Sequence, residues 1–315
     1  MMLPASARTL LRLVLLVQCA ALLAIAWMLW RQGVPAWAAL SAGFGAVALV
    51  RLAINMNNFV MAGRAGRAGG PGAGAPPGHR LGTRARVRML AEEFGASMAM
   101  TSWHIPRGRA RMTVYPDSRH VPVLLVHGYG CNSGFWARFT PMLDRARISH
   151  AGVDLEPVAA GIDDYVPLIE AAVAALCAAT GAPRVAIVAH SMGGLAARAW
   201  LRTHGDARLA RLITLGTPHH GTALARFGPG ANAVQMRRGS AWLRDLAAFE
   251  TTATRGRIVS IYTHHDNIVA PQDSGHLAGA RNIALAGVGH VALGSNRRVL
   301  AEVLRQLPEL HGEAA

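Results

Sequence analysis

The stretch Val185-Ala186-Ile187-Val188-Ala189-His190-Ser191-Met192-Gly193-Gly194-Leu195-Ala196-Ala197 decides the fold. It begins as an apolar run of strand length and ends in residues that form helix readily. Between them Ser191 has a small residue, Ala189 or Gly193, two positions to either side. That is the pattern of a strand, a sharp turn and a helix in which the turn lifts one side chain clear of the backbone. Such a turn strains its serine, and only small neighbours let strand and helix pass so close. The usual form is G-x-S-x-G, and here Ala189 takes the first position. Short strings of this kind also arise by chance, so a working serine must find its partners elsewhere in the chain.

From Val121 onward, apolar runs of strand length alternate with helix-length segments, which predicts an α/β domain with a mostly parallel sheet flanked by helices. Strands are expected at 121–126, 150–154, 185–189, 209–215, 258–263 and 282–286, and helices at 135–146, 162–180, 192–203 and 293–307. The segment 219–254 is too long for a plain connection. Trp242, Leu243, Leu246 and Phe249 are spaced for one helical face within it, and the segment reads as a cap or lid over the site or, alternatively, as a peripheral packing excursion.

A serine is a weak nucleophile until a base takes its proton, and that base must itself be oriented. In sheets of this type the acid and the base follow the serine, at the ends of later strands. Asp266 follows the strand 258–263 and His290 follows the strand 282–286, both where loops leave the C-terminal edge of the sheet. The rivals fit less well. Asp273 lies deeper in the same loop, Asp154 precedes the serine, and Asp206 and Asp245 read as surface residues. His190 adjoins the serine but should point away from it, and His264 and His265 read as loop residues. Oxyanion donors are expected from the Tyr129 N–H, in the turn His127-Gly128-Tyr129-Gly130, and from the Met192 N–H at the start of the following helix.

The segments 122–130 (PVLLVHGYG), 189–194 (AHSMGG), 215–222 (LGTPHHGT) and 287–290 (GVGH), with Asp266, resemble bacterial lipases and esterases of the α/β-hydrolase superfamily. The elbow with alanine first resembles that of the small bacterial lipases. The resemblance covers roughly 121–307. It implies an α/β-hydrolase fold and a carboxylic-ester hydrolase with Ser191 as nucleophile, His290 as base, Asp266 as its orienter, and Tyr129 and Met192 as oxyanion donors. An acyltransferase or thioesterase would use the same triad, and a membrane scaffold would keep the fold without the chemistry. No cofactor is implied. Some lipases hold zinc or calcium, but the adjacent pairs His219-His220 and His264-His265 lack the i, i+3 or i, i+4 spacing of helical ligands, and no metal is expected.

Ahead of this domain, Leu13 to Trp30 and Gly33 to Val50 are two charge-free runs of eighteen residues each. Each is long enough to span a bilayer, and together they read as a transmembrane hairpin. Ser41/Gly45 and Ala42/Ala46 give the small-residue spacing of close helix contact. A secretory signal would also explain Arg8 and Arg12 before an apolar run, but a second run follows at once. A buried hairpin in a soluble protein would look similar. All 32 basic residues are arginine, a coding bias that points to a bacterial source, and the formal net charge is +15. Most of the excess lies within the first 111 residues, where thirteen arginines face only Glu92 and Glu93. Arginines before the first run and after the second place both ends, and the catalytic domain, on the cytoplasmic side of an inner membrane.

Residues 62–78 read as a flexible linker. With Arg80 to Arg88 its arginines suit anionic headgroups, and no nucleic-acid motif accompanies them. A helix is expected at 84–100 with Val87, Leu90, Phe94 and Met98 on one face, lying on the membrane or on the domain. The expected division is a hairpin over 1–63, a basic linker and juxtamembrane helix over 64–111, and the catalytic domain over 112–315 with 219–254 as its cap. Cys19, Cys131 and Cys177 form no disulfide framework, which suits a reducing compartment. With an anchor of this kind, acyl-lipid esters and the apolar stretch 242–249 would suit one another.

Overall fold

The computed structural model describes residues 6–67 and 76–309. Helix α1 (Ala7–Arg31) starts at Ser6, whose hydroxyl accepts the Thr9 N–H, and α2 (Ala36–Arg67) follows Pro35. Both helices are long and apolar enough to cross a membrane, and only 6% and 11% of their apolar windows are buried. Burial that low does not fit the core hairpin of a soluble protein. The helices meet at Ala26, Ala39 and Gly43, where a Cβ on Gly43 would lie 2.5 Å from the Leu22 carbonyl oxygen. The small residues at the contact are therefore Ala39 and Gly43. Ser41, Ala42 and Gly45 are exposed, one helical face away from the expected pairing. Residues 62–67 continue α2, and 68–75 of the expected linker lie outside the described residues.

Helix α3 (Thr83–Ala99) runs on through a π turn, Met100–His104, into α4 (Ile105–Arg107). It packs on the sheet domain through Met89, Glu93, Ala96 and Met100. Val87, expected on the apolar face, is exposed, while Phe94 and Met98 line a groove against the hairpin. One helix thus serves two surfaces. The hairpin is also fixed to this region by polar contacts. Arg8 and Arg12 donate to the Gly108 and Pro106 carbonyls, and Arg51 donates to Gln18 and Ser102.

The sheet comprises β1 (Met112–Thr113), β2 (Val123–Val126), β3 (His150–Val153), β4 (Val185–His190), β5 (Leu209–Leu215), β6 (Ile258–Thr263) and β7 (Arg281–Leu285), in the order β1-β3-β2-β4-β5-β6-β7. Only the short edge strand β1 is antiparallel, and a two-residue strand gave no sequence signal. Strands β2, β4 and β6 are buried along their whole length, because helices cover both faces of a parallel sheet.

On one face lie α6 (Val166–Thr180) and α7 (Met192–His204); on the other lie α3, the 3-10 segment Ser133–Arg138 with α5 (Thr140–Arg145), and α11 (Arg297–Gln306). The segment 219–254 contains α8 (Ala231–Gln235) and α9 (Ala241–Ala248), and α10 (Thr252–Gly256) ends it. Leu243 and Leu246 of α9 are buried in the α6/α7 core, and Trp242 donates to Asp163. The stretch 242–249 is thus a packing element on the flank. Its hold is a buried ion pair in which Arg198 of α7 grips Glu250 at 2.5 and 2.9 Å.

Candidate active site

Strand β4 delivers Ser191 to its end, and the chain turns into α7 with Ser191 at φ 53°, ψ −126°. A positive φ on a residue with a side chain is a strained conformation, and packing holds it there. The Ser191 N–H donates to the Leu215 carbonyl at 2.8 Å, and the Thr217 hydroxyl donates to the Ser191 carbonyl at 2.9 Å. The two glycines after the serine are sterically required. A Cβ on Gly193 would stand 2.4 Å from the His127 carbonyl oxygen, and one on Gly194 2.1 Å from the Thr217 hydroxyl. Ser191 itself is buried at the foot of a pocket.

The turn after β2 lies against this elbow, since β2 pairs with β4. A Cβ on Gly128 would approach the Ser191 Cβ to 2.9 Å. His127 fixes the turn by bonding the Gly128 carbonyl through Nδ1 and accepting the Leu155 N–H through Nε2. Tyr129 donates its hydroxyl to the Pro229 carbonyl at 2.7 Å, tying the turn to the 219–254 segment. Met192 is the first residue of α7, so its N–H has no intrahelical acceptor.

His290 and Asp266 are brought together. The His290 Nδ1–H donates to Asp266 Oδ2 at 2.8 Å, and both side chains are buried. Asp266 is itself oriented, because its Oδ1 accepts the N–H groups of Ile268 at 2.8 Å and Val269 at 2.7 Å. Burial disfavours the His290 imidazolium, but the Asp266 charge and hydrogen bond, with a further contribution from Glu93, outweigh it and hold the pKa above the ordinary imidazole value. Gly216, at φ 55°, brings its backbone to this pair; a Cβ there would lie 3.2 Å from both His290 Nδ1 and Asp266 Oδ2. Asp273 sits in the 3-10 turn Gln272–Gly275, and Asp154 holds the Ser133 N–H and hydroxyl.

Three further residues support His290, of which only His190 lies in a motif. Asn267 accepts the His290 N–H at 3.0 Å. His190 stacks on Phe135 with ring centroids 4.1 Å apart and meets the tilted His290 ring at 4.6 Å, and its Nε2–H donates to the His290 carbonyl. Burial keeps its pKa well below the usual imidazole value, so it stands as a neutral spacer. Glu93 reaches in from α3 and accepts the N–H groups of Val291 and Ala292, directly after His290. One signal for Glu93 was available: an acid at the centre of the Met89, Ala96, Met100 stripe on a helix.

The remaining histidines of the LGTPHHGT segment are structural. His219 is buried against Arg198, Thr214 and Ser260, and His220 bonds the His276 carbonyl.

Residues 121–239 match the sequence family described as alpha/beta hydrolase fold. This chain carries an α/β-hydrolase fold. Among solved structures, the mature form of a lipase from Bacillus licheniformis is similar over 63% of this chain and 97% of its own, with TM-score 0.54 and 18% identity. Its propeptide form gives TM-score 0.55 and 18% identity over 63% of this chain and 53% of its own. Aspergillus fumigatus lipase B gives 0.54 and 18% over 61% and 54%. The chain therefore spans nearly all of the mature lipase and about half of the other two. At these identities the likeness is one of α/β-hydrolase fold.

Proposed function

We propose that the protein is a membrane-anchored serine hydrolase that cleaves carboxylic esters of acyl lipids. The observations that support this reading are the buried Asp266–His290 hydrogen bond and the strained Ser191, which lines a largely apolar pocket. Ser191 attacks the ester carbonyl while His290 Nε2 takes its proton. Asp266 holds the ring by Nδ1 and stabilises the imidazolium as it forms. The Tyr129 and Met192 N–H groups receive the charge that develops on the carbonyl oxygen. His290 then protonates the leaving alcohol, and water, activated by the same histidine, releases the acyl group and frees Ser191.

An acyltransferase or thioesterase would use these residues on another acceptor or leaving group, and product analysis tells them apart. Hydrolysis of p-nitrophenyl esters by the purified full-length protein and by Ser191→Ala tests the proposal, and equal rates would refute it.

Anchoring through α1 and α2 in a bacterial inner membrane, with the hydrolase domain on the cytoplasmic side, follows from their length, their lipid-ready surfaces and the arginine distribution. Trp27, Trp30 and Trp37 are exposed near the hairpin turn, where the far membrane interface would lie. A periplasmic reporter that gains activity when fused after Gly70 would reverse this orientation.

A further inference from the structure

The pocket over Ser191 is not built by the hydrolase domain alone. It has a volume of about 580 Å³, within the range of ligand sites. Tyr129, Phe227, Met236 and Val269 supply apolar wall from the domain, and the wall is completed by Asn57, Asn58 and Met61 of α2. Helix α2 is 32 residues long, about 48 Å at 1.5 Å per residue, whereas about 20 residues cross the hydrocarbon core. Its charge-free part ends at Val50, so the turns from Arg51 to Arg67 project on the side where the domain sits. They are not free to swing, because Arg51 is held by Gln18, Ser102 and the Met98 sulfur.

A second, smaller groove lies between α1, α2 and α3, lined by Leu11, Val14, Ile54, Phe94 and Met98. Asn58 belongs to the walls of both cavities. The groove mixes apolar residues with polar ones, Arg51 and Asn55 among them, and Asn58 is the residue where it adjoins the pocket over Ser191.

We propose that α2 is part of the substrate site: Met61 and Asn58 set the length of acyl chain that the pocket accepts, and the chain reaches Ser191 sideways along α2 from the adjoining leaflet. This rests on the ester-hydrolase reading above and adds a specificity role for the anchor. An acyl chain that passes from the leaflet straight into the pocket beside Met61 exposes little of its length to water, which lowers the hydrophobic cost of leaving the bilayer. A short soluble ester needs neither the α2 wall nor the leaflet.

The test uses the full-length protein in phosphatidylglycerol/phosphatidylcholine vesicles. The quantity read is the ratio of kcat/KM for p-nitrophenyl palmitate to that for p-nitrophenyl acetate. Met61→Trp fills the α2 side of the pocket and is expected to lower the ratio about tenfold, the scale at which a hydrophobic pocket discriminates. Val60→Trp, on the exposed face next to it, keeps the wild-type ratio within about twofold. Labelling of Ser191 by a fluorophosphonate reports that each variant retains its site. If Met61→Trp is not labelled, Met61→Ala takes its place and is expected to shift the ratio at least threefold, the smaller change that opening the wall produces. A ratio that is the same in the Met61 and Val60 variants overturns the proposal while leaving the hydrolase reading intact. A wild-type protein that cleaves neither ester and takes no label removes both.

Discussion

Glu93 Oε2 accepts the Ala292 N–H at 2.8 Å, joining helix α3 to the turn that carries His290 across nearly two hundred residues of chain. Its other oxygen accepts the Val291 N–H at 3.0 Å. Burial pushes the Glu93 carboxyl above the usual carboxylate range, opposed by these two hydrogen bonds and by the positive charge His290 can carry. Glu93→Gln keeps an acceptor but removes the charge. Because the Glu93 charge helps raise the His290 pKa, and His290 must be unprotonated to act as base, the acid limb of kcat/KM is expected to move to lower pH in this variant. A pH–rate profile that stays at the wild-type position would show that Glu93 does not act through His290.

Glu93→Ala removes both acceptors and leaves two buried N–H groups unpaired. The expected cost is about 1–3 kcal/mol per group left unsatisfied. Urea unfolding of the detergent-solubilised protein measures it, and Glu93→Gln should lose clearly less.

Ser191→Ala is expected to lower kcat by about a millionfold, and Asp266→Asn by about ten-thousandfold, since the histidine then takes the wrong tautomer. Asp273→Asn, remote from the Asp266–His290 bond, is expected to stay within a few-fold of wild type. Steady-state kinetics on one soluble ester compares all three, and a larger loss in Asp273→Asn than in Asp266→Asn would reassign the acid.

Gly193→Ala places a methyl 2.4 Å from the His127 carbonyl oxygen and 2.7 Å from that of Val126. Both neighbours are backbone, at the end of β2 and in the turn that follows it, so neither yields cheaply. A destabilisation of about 1–3 kcal/mol and near-complete loss of fluorophosphonate labelling are expected. Wild-type labelling in this variant would mean that the elbow has room which its geometry denies.

Glu250→Ala strands the Arg198 guanidinium, whose side chain is only 1% exposed. Removing one partner of a buried pair costs about 3–5 kcal/mol. A double replacement, Arg198→Met with Glu250→Leu, should recover much of the loss, and thermal unfolding of the three proteins checks the order.

The alternation of apolar runs was enough to place six of the seven strands and the two long apolar helices, because each is set by local periodicity and length. The candidate positions Ser191, Asp266 and His290 were proposed from the sequence for a related reason. In a parallel sheet, residues at strand ends share one edge, so chain order alone puts Ser191, Asp266 and His290 on the same rim. Residues that act through one another left no such trace. Glu93 and Asn267 hold His290 by contacts whose geometry no spacing encodes, and the face of α3 slipped because two partners, the domain and the hairpin, divide its surface.

By itself the sequence determined the elbow, the sheet and the apolar hairpin, all consequences of backbone sterics and hydrophobic pattern along one segment at a time. Only the tertiary structure decided which surfaces meet. It put 242–249 on the flank of α7, where it fills core instead of covering Ser191. It also brought Met61, in a helix that reads as a membrane anchor, to the wall of the pocket over the serine. That contact joins residues far apart in the chain and depends on how two helices emerge beside the sheet, a relation fixed by packing and absent from any local pattern.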